Sequence, residues 1–436
     1  MNNIFKHSLS IILGLLVIHT TNTYAIDVAS TSAALRLSNT ITGGTMPTSD
    51  PIFAQMVTTI AGGDLQGAAA LAANSKYAAG YLARRLAFQM QNPSLDASTV
   101  TDNDATAFLI AHFVGAGTMK PSISSIWSEN ATYLVDVGGT STHVASLTAA
   151  QLAAVDWTTA LVQVPGQTAQ VITAGNTAPG PIPVKHVGGY VTLSDRVNDN
   201  SFAMFGATAG TNLRMIEGIW EIGTGLGLLD VASDNAVPAD APRFVPEYDP
   251  NFFHGQGQTA CIACHGGGMS SLDHGYATVA DVFDFDPNAG LTYNPTPTTG
   301  TMKSLASDPN KRNANATCNL VKTPTAVCNP DSSLVDPNNG WNLTKTWSAT
   351  GVLATMGWNG PTTGQGLNEL GTALGQANIV YENMVKRVVN EICPLGVFST
   401  ADIKSIAASA NPKASPAGTD DIRTIVAQVA ANVSCQ

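Results

Sequence analysis

Two cysteines and a histidine stand at Cys261, Cys264 and His265 in the stretch GQTACIACHGGG, and no other feature of the chain limits its fold so sharply. A C-x-x-C-H run holds three reactive side chains within about one turn of backbone, so the surrounding polypeptide must be shaped to whatever they carry. Three occupants suit such a set: a zinc ion, a redox dithiol, or a covalently attached haem. Compartment and flanking sequence decide among them.

Residues 1–25 read as Lys6 in a polar start, the apolar run LSIILGLLVI and the ending TNTYA, the pattern of a secretory signal peptide cleaved near Ala25. The apolar run is about ten residues where a membrane span needs roughly 20, and no cysteine closely follows it to take a lipid anchor. The mature chain is therefore expected outside the cytoplasm, periplasmic or extracellular at the cell surface, with no membrane span after cleavage.

In that compartment the zinc and dithiol readings lose ground. A zinc ribbon needs a second cysteine pair at metal-ligand spacing, which Cys318 and Cys328 do not supply. A thioredoxin-like dithiol needs a strand before it and a helix after it, whereas HGQGQTA precedes this motif and three glycines follow it. The motif is the c-type haem attachment signal: Cys261 and Cys264 can each add across a haem vinyl group, and His265 is then placed to ligate the iron from the same side. The motif occurs once, so one covalent haem c is expected. The other four cysteines are expected to form disulfides in an oxidising compartment, Cys318 with Cys328 and Cys393 with Cys435.

Only 12% of the 436 residues are charged, about half the usual share, and the formal net charge is −11. With no basic patch to neutralise phosphates, nucleic acid is not expected as a partner, while a basic redox partner would be attracted.

Apolar spacing predicts helices through DPIFAQMVTTIAG, DLQGAAALAANSKYAAGYLARRLAFQM and DNDATAFLIAHFVG, each with Asp near its start. Residues 26–115 are thus expected to form a helical N-terminal domain. Residues 116–245 are expected to be a mixed α/β middle segment: ATYLVDV, ALVQV and VKHVGGYVTL read as strands or extended loops, a Trp-containing helix follows at GTNLRMIEGIWEIGTGLGLL, and a Pro-rich linker ends it. Residues 246–436 are expected to hold the haem, with a polar, irregular insertion at 311–345 and a helical tail from Gly366 to Ser434. The tetrapeptides YDPN, FDPN, SDPN and VDPN read as turns, because Asp, Pro and Asn favour them. The expected fold class is mainly α.

The second axial ligand separates electron transfer from catalysis, since a filled distal site favours the former. Met302, Met356 and His254 are the candidates, with His274 a fourth and an open site the remaining possibility. Trp358, Trp347 and Phe283 are expected to bury the haem edge. His112 lies in the apolar helix FLIAHFVG and reads as a core histidine; His143 and His186 have no second ligand nearby. DFDPNAG alternates oxygen donors like the start of a calcium loop, but its glycine is one place late and no closing Glu follows. GTGLGL lacks the preceding strand of a dinucleotide site and reads as helix-end packing. No catalytic Ser-His-Asp set or carboxylate pair stands out.

From about Asn251 to the C-terminus the chain resembles the c-type cytochromes. Cys261, Cys264 and His265 match the family's haem-binding residues, and Gly266 matches the glycine that often follows them. In compact single-haem members a methionine from a later loop completes the iron and a C-terminal helix packs near the haem; Met302 or Met356 would take the first part and ANIVYENMVKRVVNEIC the second. The chain departs from the small cytochromes in its long arms on both sides of the motif, and residues 26–250 carry no family resemblance. The resemblance implies one-electron transfer with a redox protein or a small redox molecule. The alternatives are a haem peroxidase or oxidase with an open distal site, although the dihaem peroxidases use two such motifs, and a haem-bearing surface binding or sensor protein.

Overall fold

The computed structural model describes residues 28–91, 104–117, 119–167, 184, 187–192, 220–226, 283–286, 290–293, 340–345, 348–393 and 397–435. Over these the protein is mainly helical, with a small three-stranded antiparallel sheet in the middle of the chain.

The N-terminal helices begin where their caps put them. Helix α1 spans 28–42 and buries Ala34, Leu37 and Ile41 along one face. Helix α2 (Pro51–Ala61) starts at Asp50, whose carboxylate accepts from the Ile52 N–H at 2.8 Å, with Pro at the first helical position. Gly63, at φ +87°, lets the chain turn, and Asp64 then caps α3 (Leu65–Ala73) by accepting from the Gly67 N–H. The sequence reads one long helix from Asp64 to Met90, but the structure breaks it at Asn74, where Ser75 starts a new helix by accepting from the Ala78 N–H. That helix, α4, runs from Lys76–Ala78 through a π segment, Ala79–Ala83, into Arg84–Gln91. Helix α5 (Asp104–Val114) packs on α4 and on the sheet.

Strand β1 (Ala131–Val137) points Ala131, Tyr133 and Val135 inward, the alternation written in ATYLVDV. It pairs antiparallel with β2 (Thr140–Thr142) through the two-residue turn Gly138–Gly139, where both glycines have positive φ. Its other edge pairs with β3 (Leu161–Pro165), in register Val135 opposite Leu161, and the short helix α6 (Ala149–Ala154) lies between β2 and β3 in sequence. In VKHVGGYVTL, read as a strand or an extended loop, Gly189–Thr192 forms a 3₁₀ turn. Gly189 faces the backbone of Ile126 and Trp127 so closely that a side chain there would overlap it. Close approach to a neighbouring turn, rather than sheet pairing, sets the shape of this stretch.

The Trp-containing helix is helical over 220–224 and ends at Gly225, φ +72°, whose N–H donates to Glu221 O, while Gly223 packs against Leu374; these two glycines of GTGLGL terminate and pack a helix. Phe285 and Asp286 of FDPN are the last two residues of β4 (Phe283–Asp286), which pairs antiparallel with β5 (Gly290–Tyr293); Pro287 and Asn288 lie outside the described residues. The end of the stretch expected to be irregular is regular: β6 (Gly340–Asn342) pairs with β7 (Thr363–Gln365), and Leu343–Lys345 is a 3₁₀ turn. Between them lies α7 (Val352–Thr355). The tail is helical, as α8 (Gly366–Gln376), α9 (Asn378–Ile392), α10 (Thr400–Ala410) and α11 (Ile422–Ala431).

The two ends of the chain share a core. Helix α11 packs against α3, α9 packs against α4, and the buried side chains form one cluster running from Ala34 to Ala430. The alanines of α3 (Ala68, Ala69, Ala72, Ala73) are buried, and their size permits the close approach of α11. Arg387 of α9 ties the seam: its guanidinium donates to Gln89 O near the end of α4 and to Ile222 O at the end of the 220–224 helix. Both carbonyls are at the negative ends of helices, which favours a cation there without a carboxylate contact. Burial lowers the Arg387 guanidinium to about 10, opposed by Tyr190 and Glu221.

Candidate functional site

Cys261, Cys264, His265, His254, His274, Met302, Trp347, His186, Cys318, Cys328 and residues 1–25, expected to be a leader, lie outside the described residues, and Phe283 is described in its backbone alone. Cys393 and Cys435 are joined as a disulfide with their Cα atoms 5.3 Å apart.

Met356 and Trp358 are the described members of the set. Met356 caps the C-terminus of α7 and is 7% exposed; Gly357, at φ +76°, reverses the chain, and Trp358 turns inward. The Trp358 ring lies 5.6 Å from that of Trp220, tilted by 34°, and its indole N–H is shared by Gly360 O and Pro361 O at 3.0 Å each. Asn383 of α9 donates to Ile222 O and Gly223 O, holding the 220–224 helix beneath this loop. Trp220 and Trp358 thus form a buried aromatic pair.

A second, polar assembly lies inside the molecule where α5, β1 and β3 meet, and the sequence did not reveal it. His112 is fully buried, and its Nδ1 is 2.8 Å from Phe108 O, the backbone contact available to a core histidine. Its Nε2 lies 3.1 Å from Glu129 Oε2, within ion-pair range though off the line of a straight hydrogen bond. The Tyr133 hydroxyl donates to the same carboxylate at 2.9 and 3.1 Å, and Gln163 Nε2 donates to both Glu129 (2.9 Å) and the Tyr133 oxygen (3.2 Å). Burial pushes the Glu129 carboxyl up, but His112, Tyr133 and Gln163 together outweigh it and hold the group below its ordinary value. Burial, and then the Glu129 charge, push the Tyr133 phenol far above its usual value. The legible signal was His112 itself, a polar group on an apolar helix face that must find a partner. Its partners come from a loop and two strands, so spacing could not name them.

A third assembly centres on Asp420, the one non-glycine residue with positive φ (55°) among the described residues. Its carboxylate accepts from Ser124 N–H, from the Ser122 and Ser124 hydroxyls and from Tyr381 OH, and its carbonyl accepts from Ile123 N–H. Every donor is local to the fold, so this is a clasp joining the 122–124 loop to α9. On the surface, a cleft of about 630 Å³ opens between α6 and the sheet, floored by Val137, Ala154 and Val162 and edged by Asp136 and Asp156. Each of those carboxylates is engaged by its own turn, through Gly139 N–H and through Thr158 respectively. Among the described residues no three His, Cys, Asp or Glu side chains converge to hold a metal, and no helix is long and apolar enough to cross a membrane.

No protein family, no curated protein and no solved structure matches this chain. Its function has to be argued from its own residues.

Proposed function

We propose that this chain is an exported monohaem c-type cytochrome that exchanges single electrons with a redox protein or a small redox molecule outside the cytoplasm. The observation that carries the reading is the order of donors at Cys261, Cys264 and His265, two thiols followed at once by an imidazole, in a chain that begins with a secretory leader. That donor set fits haem c: the two thiols would form the thioether links and His265 would be the proximal ligand. When bound, such a haem supplies a one-electron ferric/ferrous couple whose potential depends on axial ligand, burial and nearby charge.

The chain's own contribution is to choose the distal side and to exclude water. Met356, Met302 and His254 compete for that side. The burial of Met356 two residues from Trp358 suits a thioether kept from solvent, and equally suits core filling. The low share of charged residues and the acidic balance suit an extracytoplasmic protein that attracts a basic partner.

The test is an absorption spectrum of the purified mature chain, ferric and ferrous, with carbon monoxide added to the reduced form. A pyridine haemochrome of the c type with a Soret band unmoved by carbon monoxide is the expected result. Rapid carbon monoxide binding would replace electron transfer by the open-site enzyme or sensor, and absence of covalent haem would overturn the proposal. Met356→Ala, Met302→Ala and His254→Ala then identify the distal ligand as the one whose loss lets carbon monoxide bind.

A further inference from the structure

We infer that Tyr133 is a second one-electron centre of this protein, losing an electron to a strong one-electron oxidant while its phenolic proton passes to Glu129. The inference stands on the α5, β1 and β3 assembly and is independent of the haem.

Removing an electron from a phenol makes its hydroxyl strongly acidic, so the step is easy only where a base already holds the hydrogen bond. Tyr133 has that base: its O–H donates to the Glu129 carboxylate at 2.9 and 3.1 Å, within the reach that direct proton transfer requires. The balance is simple. Tyr133 gives one electron to the oxidant, the O–H bond breaks, an O–H bond forms on Glu129, and a neutral phenoxyl radical remains beside a neutral carboxylic acid. The buried cluster loses one negative charge and keeps its proton, so no phenol radical cation has to be held in a medium that penalises uncompensated charge. The surroundings suit the product. Gln163 Nε2 still reaches the phenoxyl oxygen at 3.2 Å, and the carboxylic acid can donate back along the bond it received. The Tyr133 ring is fully buried, in edge contact with Phe108 at 5.7 Å and near His112 at 6.3 Å, which keeps water and other radicals away.

Tyr381 provides the internal comparison. It is equally buried and donates to Asp420 at 2.6 Å, but that carboxylate also accepts a backbone N–H and two serine hydroxyls. The proton would have to go to a carboxylate already committed to three other donors of the clasp, so Tyr381 is the poorer site.

The experiment uses the full chain in its oxidised form, with flash-generated tris(bipyridyl)ruthenium(III) as oxidant and electron paramagnetic resonance as readout. A long-lived neutral tyrosyl signal is expected, forming more slowly in D₂O, reduced about tenfold in Tyr133→Phe and retained in Tyr381→Phe. Glu129→Gln keeps the hydrogen bond but weakens the base, and should slow radical formation about tenfold. Should Tyr133→Phe fail to fold, 3,5-difluorotyrosine placed at position 133 preserves hydroxyl and shape, and fluorine hyperfine splitting of the radical gives the same assignment. A signal that survives Tyr133→Phe unchanged, lacks fluorine splitting, or forms at the wild-type rate in Glu129→Gln overturns the inference.

Discussion

Glu129 keeps its charge in a place where burial alone would favour the acid. Hydrogen bonds and the His112 contact depress its folded-state value below the ordinary 4.5, so between the two values the folded protein binds fewer protons than the unfolded chain. The stability this contributes is complete above about pH 5 and is lost as pH falls through the folded value. Thermal unfolding followed between pH 6 and 3 should therefore show a steeper loss for the wild type than for Glu129→Gln, which lacks the titrating group; parallel curves would remove Glu129 from the acid limb. Tyr381 acts in the opposite direction. Burial, the Asp420 charge and the hydrogen bond to it raise its phenol above the ordinary 10.0, so its contribution is present below pH 10 and declines as pH rises beyond it. Tyr381→Phe should flatten the alkaline limb of the same stability profile at a cost of roughly 1.5–3 kcal/mol at neutral pH for the lost hydrogen bond to a carboxylate. His112 shows where reading a sequence stops: its burial followed from the apolar residues around it, whereas Glu129, Tyr133 and Gln163 became its surroundings only when β1 and β3 paired beneath α5.

At the scale of elements, local chemistry was legible and close approach was not. Asp50 and Asp64 announced α2 and α3, and alternation announced β1, because each signal acts over a few residues. The break at Ser75 and the π segment after it lie inside a run rich in helix-forming alanine, where the apolar pattern continues across the interruption. Helix α8 carries the clearest case of a role that spacing hides. Added side chains at Gly371 and Gly375 would overlap the backbone of Trp127 and Ser124 respectively, so these two glycines let the helix lie directly on the Ser124–Trp127 turn. Gly371→Ala should destabilise the protein by about 1–3 kcal/mol through overpacking, despite the better helix propensity of alanine. Gly80→Ala, where the nearest atom is Trp157 Cδ1 at an ordinary 3.8 Å, should change stability by less than about 1 kcal/mol. Denaturant titration of the two variants distinguishes close approach from propensity: equal effects would mean that α8 can move off the turn.

The pairing of α11 with α3 couples the described N-terminal and C-terminal helices, and the Cys393–Cys435 disulfide closes a 42-residue separation around that C-terminal unit. On the chain-entropy argument the crosslink disfavours the unfolded state by about 4 kcal/mol, so Cys435→Ser should lower the stability of the oxidised protein by that order. Cys393→Ser should reproduce the loss, and under reducing conditions the wild type and the variant should be equally stable. How far the ends cooperate is a separate question, answered by a residue that touches neither cysteine. Ile425 is fully buried in α11, and truncating it to alanine should cost about 2–5 kcal/mol. Because α3 forms part of the surface on which α11 rests, the loss should reach amides near the other end of the sequence. Hydrogen exchange under native conditions should then show the α3 and α11 amides accelerating together in Ile425→Ala, as one cooperative unit. Acceleration confined to α11 would mean that the N-terminal helices keep their stability through α1, α2 and α4 alone, and that the shared core is a contact between units that unfold separately.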